Sequence, residues 1–202
     1  MNQPDSFFLN LAAWCKNGTE VLGPGKRLAI WAQGCMKHCP GCISPEFREL
    51  SQAQIVDGRA MATYTIRHPE FSGITISGGE PFLQASALTK LISAIKNERE
   101  DFSTIIFTGF LLEELVWNEA TELLQLTDLL IDGPFIQEKF TTEGLRGSQN
   151  QRFHFQTDML KPYSQEITSG KRSREIQCDE QSFFPIGIPS EEGILGNLFK
   201  QI

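Results

Sequence analysis

Residues 73–98 read GITISGGEPFLQASALTKLISAIKNE. The first five, Gly73–Ser77, are short and β-branched, the composition of a buried strand. Phe82–Glu98 then places Leu83, Ala87, Leu88, Leu91, Ile92 and Ile95 on one face at helical spacing. Between them, Gly78 and Gly79 permit a tight turn. Pro81 suits the first helical turn, where its missing N–H costs nothing. The stretch is a βα unit.

The same alternation extends in both directions. Phe7–Trp14 reads as a first strand. Leu28–Gln33 (LAIWAQ) follows the turn signal Gly23-Pro24-Gly25 and reads as a buried strand. Ser103–Thr108 and Asp128–Ile131 are two more. Gln52–Arg67 is weakly helical, with Gly58 as an interruption, and Leu111–Trp117 and Thr121–Leu126 read as short helices. Apolar strands alternating with helices predict an α/β fold with a mostly parallel sheet. A full eight-unit barrel typically needs about 250 residues. The expected architecture is therefore a partial (βα) barrel or an open, mostly parallel sheet.

Ligands of such folds gather at the carboxyl ends of the strands. Four punctuated segments fall there: the cysteine loop after Gln33, Gly78-Gly79-Glu80-Pro81, Thr108-Gly109, and Asp132-Gly133-Pro134. Residues 1–161 are expected to form this core. Residues 162–202 form a C-terminal extension of different character. Pro162–Arg174 reads as a polar loop, Glu175–Cys178 and Phe183–Ile188 as a hairpin, and Gly193–Ile202 as a short docked helix or a mobile end.

The chain has 202 residues, 40% hydrophobic and 21% charged, with a net charge of −7. That balance opposes general nucleic-acid binding, which needs cationic surface. The cluster Lys171, Arg172 and Arg174 reads as a solvated loop. No apolar run is long enough to span a bilayer, and the amino terminus lacks the basic start of a secretory signal. A cytoplasmic location is expected, where thiols stay reduced. Of five cysteines, three sit within eight residues, which in a reducing compartment points to metal.

That segment is Cys35-Met36-Lys37-His38-Cys39-Pro40-Gly41-Cys42. Thiolates suit iron–sulfur clusters or zinc. Structural zinc wants four protein ligands, often as two C-x2-C pairs. Here there is one such pair and three thiols. A [4Fe–4S] cube held by Cys35, Cys39 and Cys42 leaves one iron open for a substrate or cofactor. Zinc, with His38 or Cys178 as fourth ligand, is the alternative. Cys15 and Cys178 read as ordinary thiols. The glycine–glutamate turn offers backbone carbonyls to a ligand ammonium, with Glu80 to anchor it. His38, His68 and His154 are scattered and have no catalytic role assigned.

C-x3-C-x2-C followed by a strand and GGEP resembles the radical S-adenosylmethionine (SAM) superfamily. The segments LNLAAW, GPGKRLAIWAQGC, CPGC, ITISGGEPFLQ, FTGF, LLIDGPF and LRGSQNQRF resemble the small activating enzymes of anaerobic ribonucleotide reductase. They run in order over about three quarters of the chain. The resemblance implies a [4Fe–4S] cluster and SAM as cofactors, with the amino and carboxylate groups of SAM on the fourth iron. Gly41 and Ile43 would lie against the adenosyl part. Ser77, Gly78, Gly79 and Glu80 would hold the methionyl ammonium. Thr108 and Asp132 would line the SAM pocket, with Asp132 facing a bound cation or the target backbone. A bulky residue at Gly79 would then intrude on SAM and spare the cluster. Arg146–Arg152 would contact SAM or the partner, and Arg146 would dock the partner.

The implied activity is reductive cleavage of SAM to methionine and a 5′-deoxyadenosyl radical. That radical takes a hydrogen from a glycine of a large partner enzyme, with a donor such as a flavodoxin supplying electrons. A maturase acting on another protein or peptide is the second reading, and a non-catalytic metal-binding module the third. Two features depart from the resemblance. Ile43-Ser44-Pro45-Glu46-Phe47 replaces an asparagine-containing stretch ending in tryptophan, and the tail after about residue 161 runs past the usual end.

Overall fold

A computed structural model describes residues 7–178 and 183–189. Seven strands form one sheet: β1 (Phe8–Thr19), β2 (Arg27–Ala32), β3 (Gln54–Asp57), β4 (Gly73–Gly78), β5 (Ser103–Phe107), β6 (Leu129–Asp132) and β7 (Arg152–Phe155). Their spatial order is β3-β1-β2-β4-β5-β6-β7. The central β2, β4, β5 and β6 are parallel, with Ile30 opposite Ile76, Ile76 opposite Ile106, and Ile106 opposite Leu130. β1, β3 and β7 are added antiparallel at the two margins. The helices are α1 (Gly58–Arg67), α2 (Ala85–Lys96), α3 (Asn118–Gln125) and α4 (Ser164–Ser169).

Side-chain alternation divides the core between two faces. Leu28, Ile30, Ile74, Ile76, Ile106 and Leu130 join the apolar faces of α1, α2 and α3 in one cluster. The intervening residues face the other way. Ile105, Leu129 and Ile131 meet Leu160, just before α4, and Ile167 of α4. Cys15, Leu22 and Ala29 meet Ile186. That residue belongs to a second, two-stranded sheet, β8 (Glu175–Cys178) paired antiparallel with β9 (Phe183–Ile186). At the amino ends of the strands, fully buried Arg27 binds Thr75 Oγ1 at 2.8 Å, the Ile74 carbonyl at 2.8 Å and the Ser103 carbonyl at 3.0 Å. It fastens three strands together there.

Several boundaries differ from expectation. β1 continues through polar Lys16 and Asn17 because antiparallel pairing with β2 carries it to Thr19. Gln54–Asp57 is a strand, and Gly58 begins a helix instead of interrupting one. Asp57 caps α1 by accepting from the Arg59 and Ala60 N–H groups, the preferred role for aspartate before a helix. Leu111–Trp117 contains only a 3-10 turn, Leu112–Glu114, and the α2 segment opens with another, Pro81–Gln84. β7 and α4 were not foreseen. Arg152–Phe155 alternates too briefly to register, and α4 has one buried apolar residue, Ile167, and so no periodicity. The expected element at Gly193–Ile202 lies outside the described residues.

Candidate active site

The cysteine loop leaves β2 at its carboxyl end and is held by backbone bonds on both sides. The Gly34 N–H donates to the Phe47 carbonyl at 2.8 Å, and the Cys35 N–H to that of Arg48 at 2.9 Å. Gln33 Nε2 donates to the Glu49 carbonyl at 2.8 Å. Gly34 (φ +95) and Gly41 (φ +68) take up left-handed backbone that other residues rarely adopt.

The turn after β4 is bonded directly to this loop. The Gly79 N–H donates to the Ala32 carbonyl at 2.7 Å and the Glu80 N–H to that of Gly34 at 2.8 Å. A Cβ on Gly79 would lie 2.3 Å from the Gly34 oxygen and 2.7 Å from that of Phe47. Glycine is required at 79 because the turn and the cysteine loop touch backbone to backbone. The expected reason, space for a ligand, is not the one the packing gives.

Glu80 is buried, and burial pushes its carboxyl up to about 7 against the pull of three donors. Phe82 N–H donates to Oε1 at 3.1 Å, Thr108 Oγ1 to Oε1 at 2.8 Å, and Gly109 N–H to Oε2 at 2.8 Å. The carboxylate thereby joins the end of β4 to the end of β5.

One cleft of about 1010 Å³, open mouth included, collects these segments. Cys35, Cys39, Cys42, Ile43, Ser77, Gly78, Gly79, Glu80 and Thr108 all line it. Three segments remote in sequence therefore meet at the carboxyl ends of β2, β4 and β5. Burial raises the Cys35 and Cys42 thiols above their usual range. Among the described residues, no three His, Cys, Asp or Glu side chains converge as a single metal ion would require. A cube places its thiolates on three different irons, and three cysteines round one cleft fit that donor set. His38 Nδ1 lies 3.0 Å from the Met36 carbonyl. The side chain of Cys178 lies outside the description.

The 4Fe–4S single cluster domain family matches residues 21–154. The chain belongs to the radical SAM activating-enzyme family. The anaerobic ribonucleoside-triphosphate reductase-activating protein of Vibrio cholerae is 34% identical over 142 residues, 66% of this chain and 90% of the relative. The protein of that name from Escherichia coli is 30% identical over 142 residues, 66% and 91% of the two chains. The pyruvate formate-lyase-activating enzyme of Listeria monocytogenes is 28% identical over 118 residues, 55% of this chain and 47% of the relative.

In this member of the radical SAM activating-enzyme family, two of the expected site residues are placed off the cleft wall. Gly41 backs onto Gln137, whose Oε1 a Cβ would approach to 2.3 Å. Asp132 is fully buried and bound by protein groups. Its carboxylate accepts from Arg152 Nε at 3.0 Å and from the Leu112 N–H at 2.7 Å, and lies 3.1 Å from His154 Nε2. Burial alone would raise this carboxyl, but Arg152, the Leu112 N–H and His154 hold it below the usual range. The cation facing Asp132 is the Arg152 guanidinium.

Gly147 and Gln151 of the Arg146–Arg152 loop line the cleft. Gln151 Oε1 accepts from the Gly147 N–H at 2.7 Å, and its Nε2 donates to the Gly133 carbonyl at 3.1 Å. Sequence reasoning also missed Lys37, Phe107, Phe135, Gly187 and Ile188 on the wall. Lys37 lay in view inside the cysteine loop. Its Nζ sits 4.5 Å from the Phe110 ring centre and 3.4 Å from Glu114 Oε2. Cys15 is buried in the core, donating to the Gly18 carbonyl. No helix among the described residues is long and apolar enough to cross a membrane.

Proposed function

We propose that this enzyme cleaves SAM reductively at a [4Fe–4S] cluster and installs a glycyl radical on a partner such as anaerobic ribonucleotide reductase. The observation that carries the reading is the shared cleft. Three thiols and the Ser77–Glu80 turn border it, and no fourth cysteine among the described residues does. The names of the relatives point to the same class of partner.

Cys35, Cys39 and Cys42 would each hold one iron. Bound there, a reduced cluster would supply one-electron reductive cleavage of SAM, the source of the hydrogen abstraction from a glycine. The chain's own residues position the reactants. The backbone of Ser77, Gly78 and Gly79 receives the methionyl ammonium. Glu80 fixes that turn, since both of its oxygens are already occupied by Phe82, Thr108 and Gly109. Ile43 and Gly147 border the nucleoside, their side chain and Cα lying close together at one end of the cleft. Gly41 shapes the loop that carries Ile43. Asp132 shapes the end of β6 through Arg152. A small electron donor such as a flavodoxin reduces the protein in the cytoplasm. The domain division follows the same line, with residues 1–161 as the radical core and 162–202 as an addition to it.

The test is anaerobic reconstitution followed by reduction with dithionite and addition of SAM. About four irons per chain are expected, as one cubane requires, together with release of methionine and 5′-deoxyadenosine. Cys35→Ala, Cys39→Ala and Cys42→Ala each abolish loading, while Cys15→Ala does not. Tightly bound zinc without iron uptake overturns the reading. A modified peptide, in place of a glycyl radical on a large partner, replaces it with the maturase.

A further inference from the structure

The family match ends at residue 154, and the two reductase-activating relatives cover about two thirds of this chain. The β8–β9 segment therefore lies beyond the family match. It seats on the sheet face that α1, α2 and α3 leave uncovered. Ile186 is buried there with Cys15, Leu22 and Ala29. Phe184 meets Trp31 edge to face, with ring centres 5.2 Å apart.

Polar bonds fix the segment at both ends. Glu175 accepts from Thr19 Oγ1 at 2.6 Å and from the Glu20 N–H at 2.9 Å. Gln177 Nε2 donates to the Gly18 carbonyl at 2.7 Å. Arg172 donates to the carbonyls of Gly144 at 2.8 Å and Pro189 at 2.6 Å, and to that of Arg146. The chain running out of β9 is thus clamped against the loop that carries Gly147. Its next two residues, Gly187 and Ile188, border the same cleft as the three cysteines, beside Leu22 and Trp31.

We infer that Ile188, backed by Trp31, is a specificity-determining residue that narrows the target side of the cleft to a glycine-bearing, extended segment of the partner. The inference rests on the SAM placement proposed above. With the nucleoside against the touching pair Ile43 and Gly147, and the methionyl group at the Ser77–Glu80 turn, the wall of Leu22, Trp31 and Ile188 is free for the target. That wall is apolar and offers no charged group. It rewards a thin backbone and rejects a branched side chain by contact. Pocket walls of this kind discriminate by roughly tenfold or more per added carbon. Gly187, at φ +122, gives the turn that aims Ile188, and Arg172 holds the next residue.

The test uses the reconstituted full-length enzyme and three synthetic peptides. Each carries a central residue deuterated at its α-carbon: glycine, alanine or leucine. Transfer of deuterium into 5′-deoxyadenosine is read by mass spectrometry. The balance is simple: the α-carbon loses one hydrogen atom, and the 5′-carbon gains it. Wild type is expected to take deuterium from the glycine peptide at least tenfold more than from the alanine peptide. Ile188→Ala lowers that ratio at least fivefold, and Ile188→Trp suppresses transfer from all three. Iron content verifies that each variant is folded. A ratio unchanged by Ile188→Ala overturns the inference, as does a wild type that cleaves SAM yet takes deuterium from none of the peptides. Absence of SAM cleavage in the iron-loaded wild type overturns instead the function on which it rests.

Discussion

Thr108 Oγ1 donates a 2.8 Å hydrogen bond to Glu80 Oε1, joining two strand ends through a buried carboxylate. Gly109 N–H occupies the other oxygen at 2.8 Å. Glu80→Gln keeps the shape but turns one oxygen into a donor, which must face either the Gly109 N–H or the Phe82 N–H and the Thr108 hydroxyl. An unsatisfied buried group costs about 1–3 kcal/mol. Urea unfolding of the iron-free protein is expected to show a loss of that size. No loss would mean that this join does not hold the site.

The same residue sets a pH dependence. The Glu80 carboxyl in the folded protein titrates at about 7, because burial penalises its charge. In the unfolded chain it titrates near 4.3. The unfolded state therefore loses its proton first, and stability falls as pH rises through that interval. The contribution is fully present below about 4.3 and gone above about 7, on the order of 3 kcal/mol. Glu80→Gln removes this slope. Comparing the two proteins from pH 5 to pH 8 checks it, and parallel curves would refute the assignment.

Gly79→Ala makes a sharper test of how the two loops depend on each other. Its Cβ would meet the backbone oxygens of Gly34 and Phe47, which frame the cysteine loop. Backbone cannot swing aside as a side chain can, so the loop must move. Iron uptake on anaerobic reconstitution is expected to fall by more than half. Full loading with weakened SAM binding would restore the role expected from sequence, a glycine kept small for the ligand.

The cleft was largely legible because its chemistry is local. C-x3-C-x2-C and SGGEP each place their residues by short-range geometry, and alternating βα units bring strand ends together. Contacts made across the sheet were not legible. Nothing around Asp132 reveals that Arg152, on a short strand unseen by periodicity, supplies its cation. Nothing around Gly187 and Ile188 reveals that the pairing of β8 with β9, and Arg172 beyond them, swings these residues to the cleft. The glycine at 79 was noticed, yet its reason lay in a loop about 45 positions away that only the fold brings near.

Arg146 is the residue for which the sequence suggested a docking contact. Its guanidinium instead turns inward, 3.3 Å from the carbonyls of both Gln149 and Gln151, and lies over the Phe153 ring at 5.4 Å. Its own carbonyl accepts from Arg172. These bonds shape the loop that presents Gly147 and Gln151 to the cleft. Arg146→Ala removes both donors, so the loop loosens and the wall loses its form. Affinity for SAM, read from the change in the electron-resonance signal of the reduced enzyme, is expected to drop about five- to tenfold, as loss of about 1 kcal/mol from such bonds implies. Partner modification should drop in the same proportion. Arg146→Lys restores only part, because an ammonium can still donate to both carbonyls but lacks the planar group that lies over the Phe153 ring. SAM affinity held at the wild-type value, with partner modification alone impaired, would return Arg146 to the docking surface.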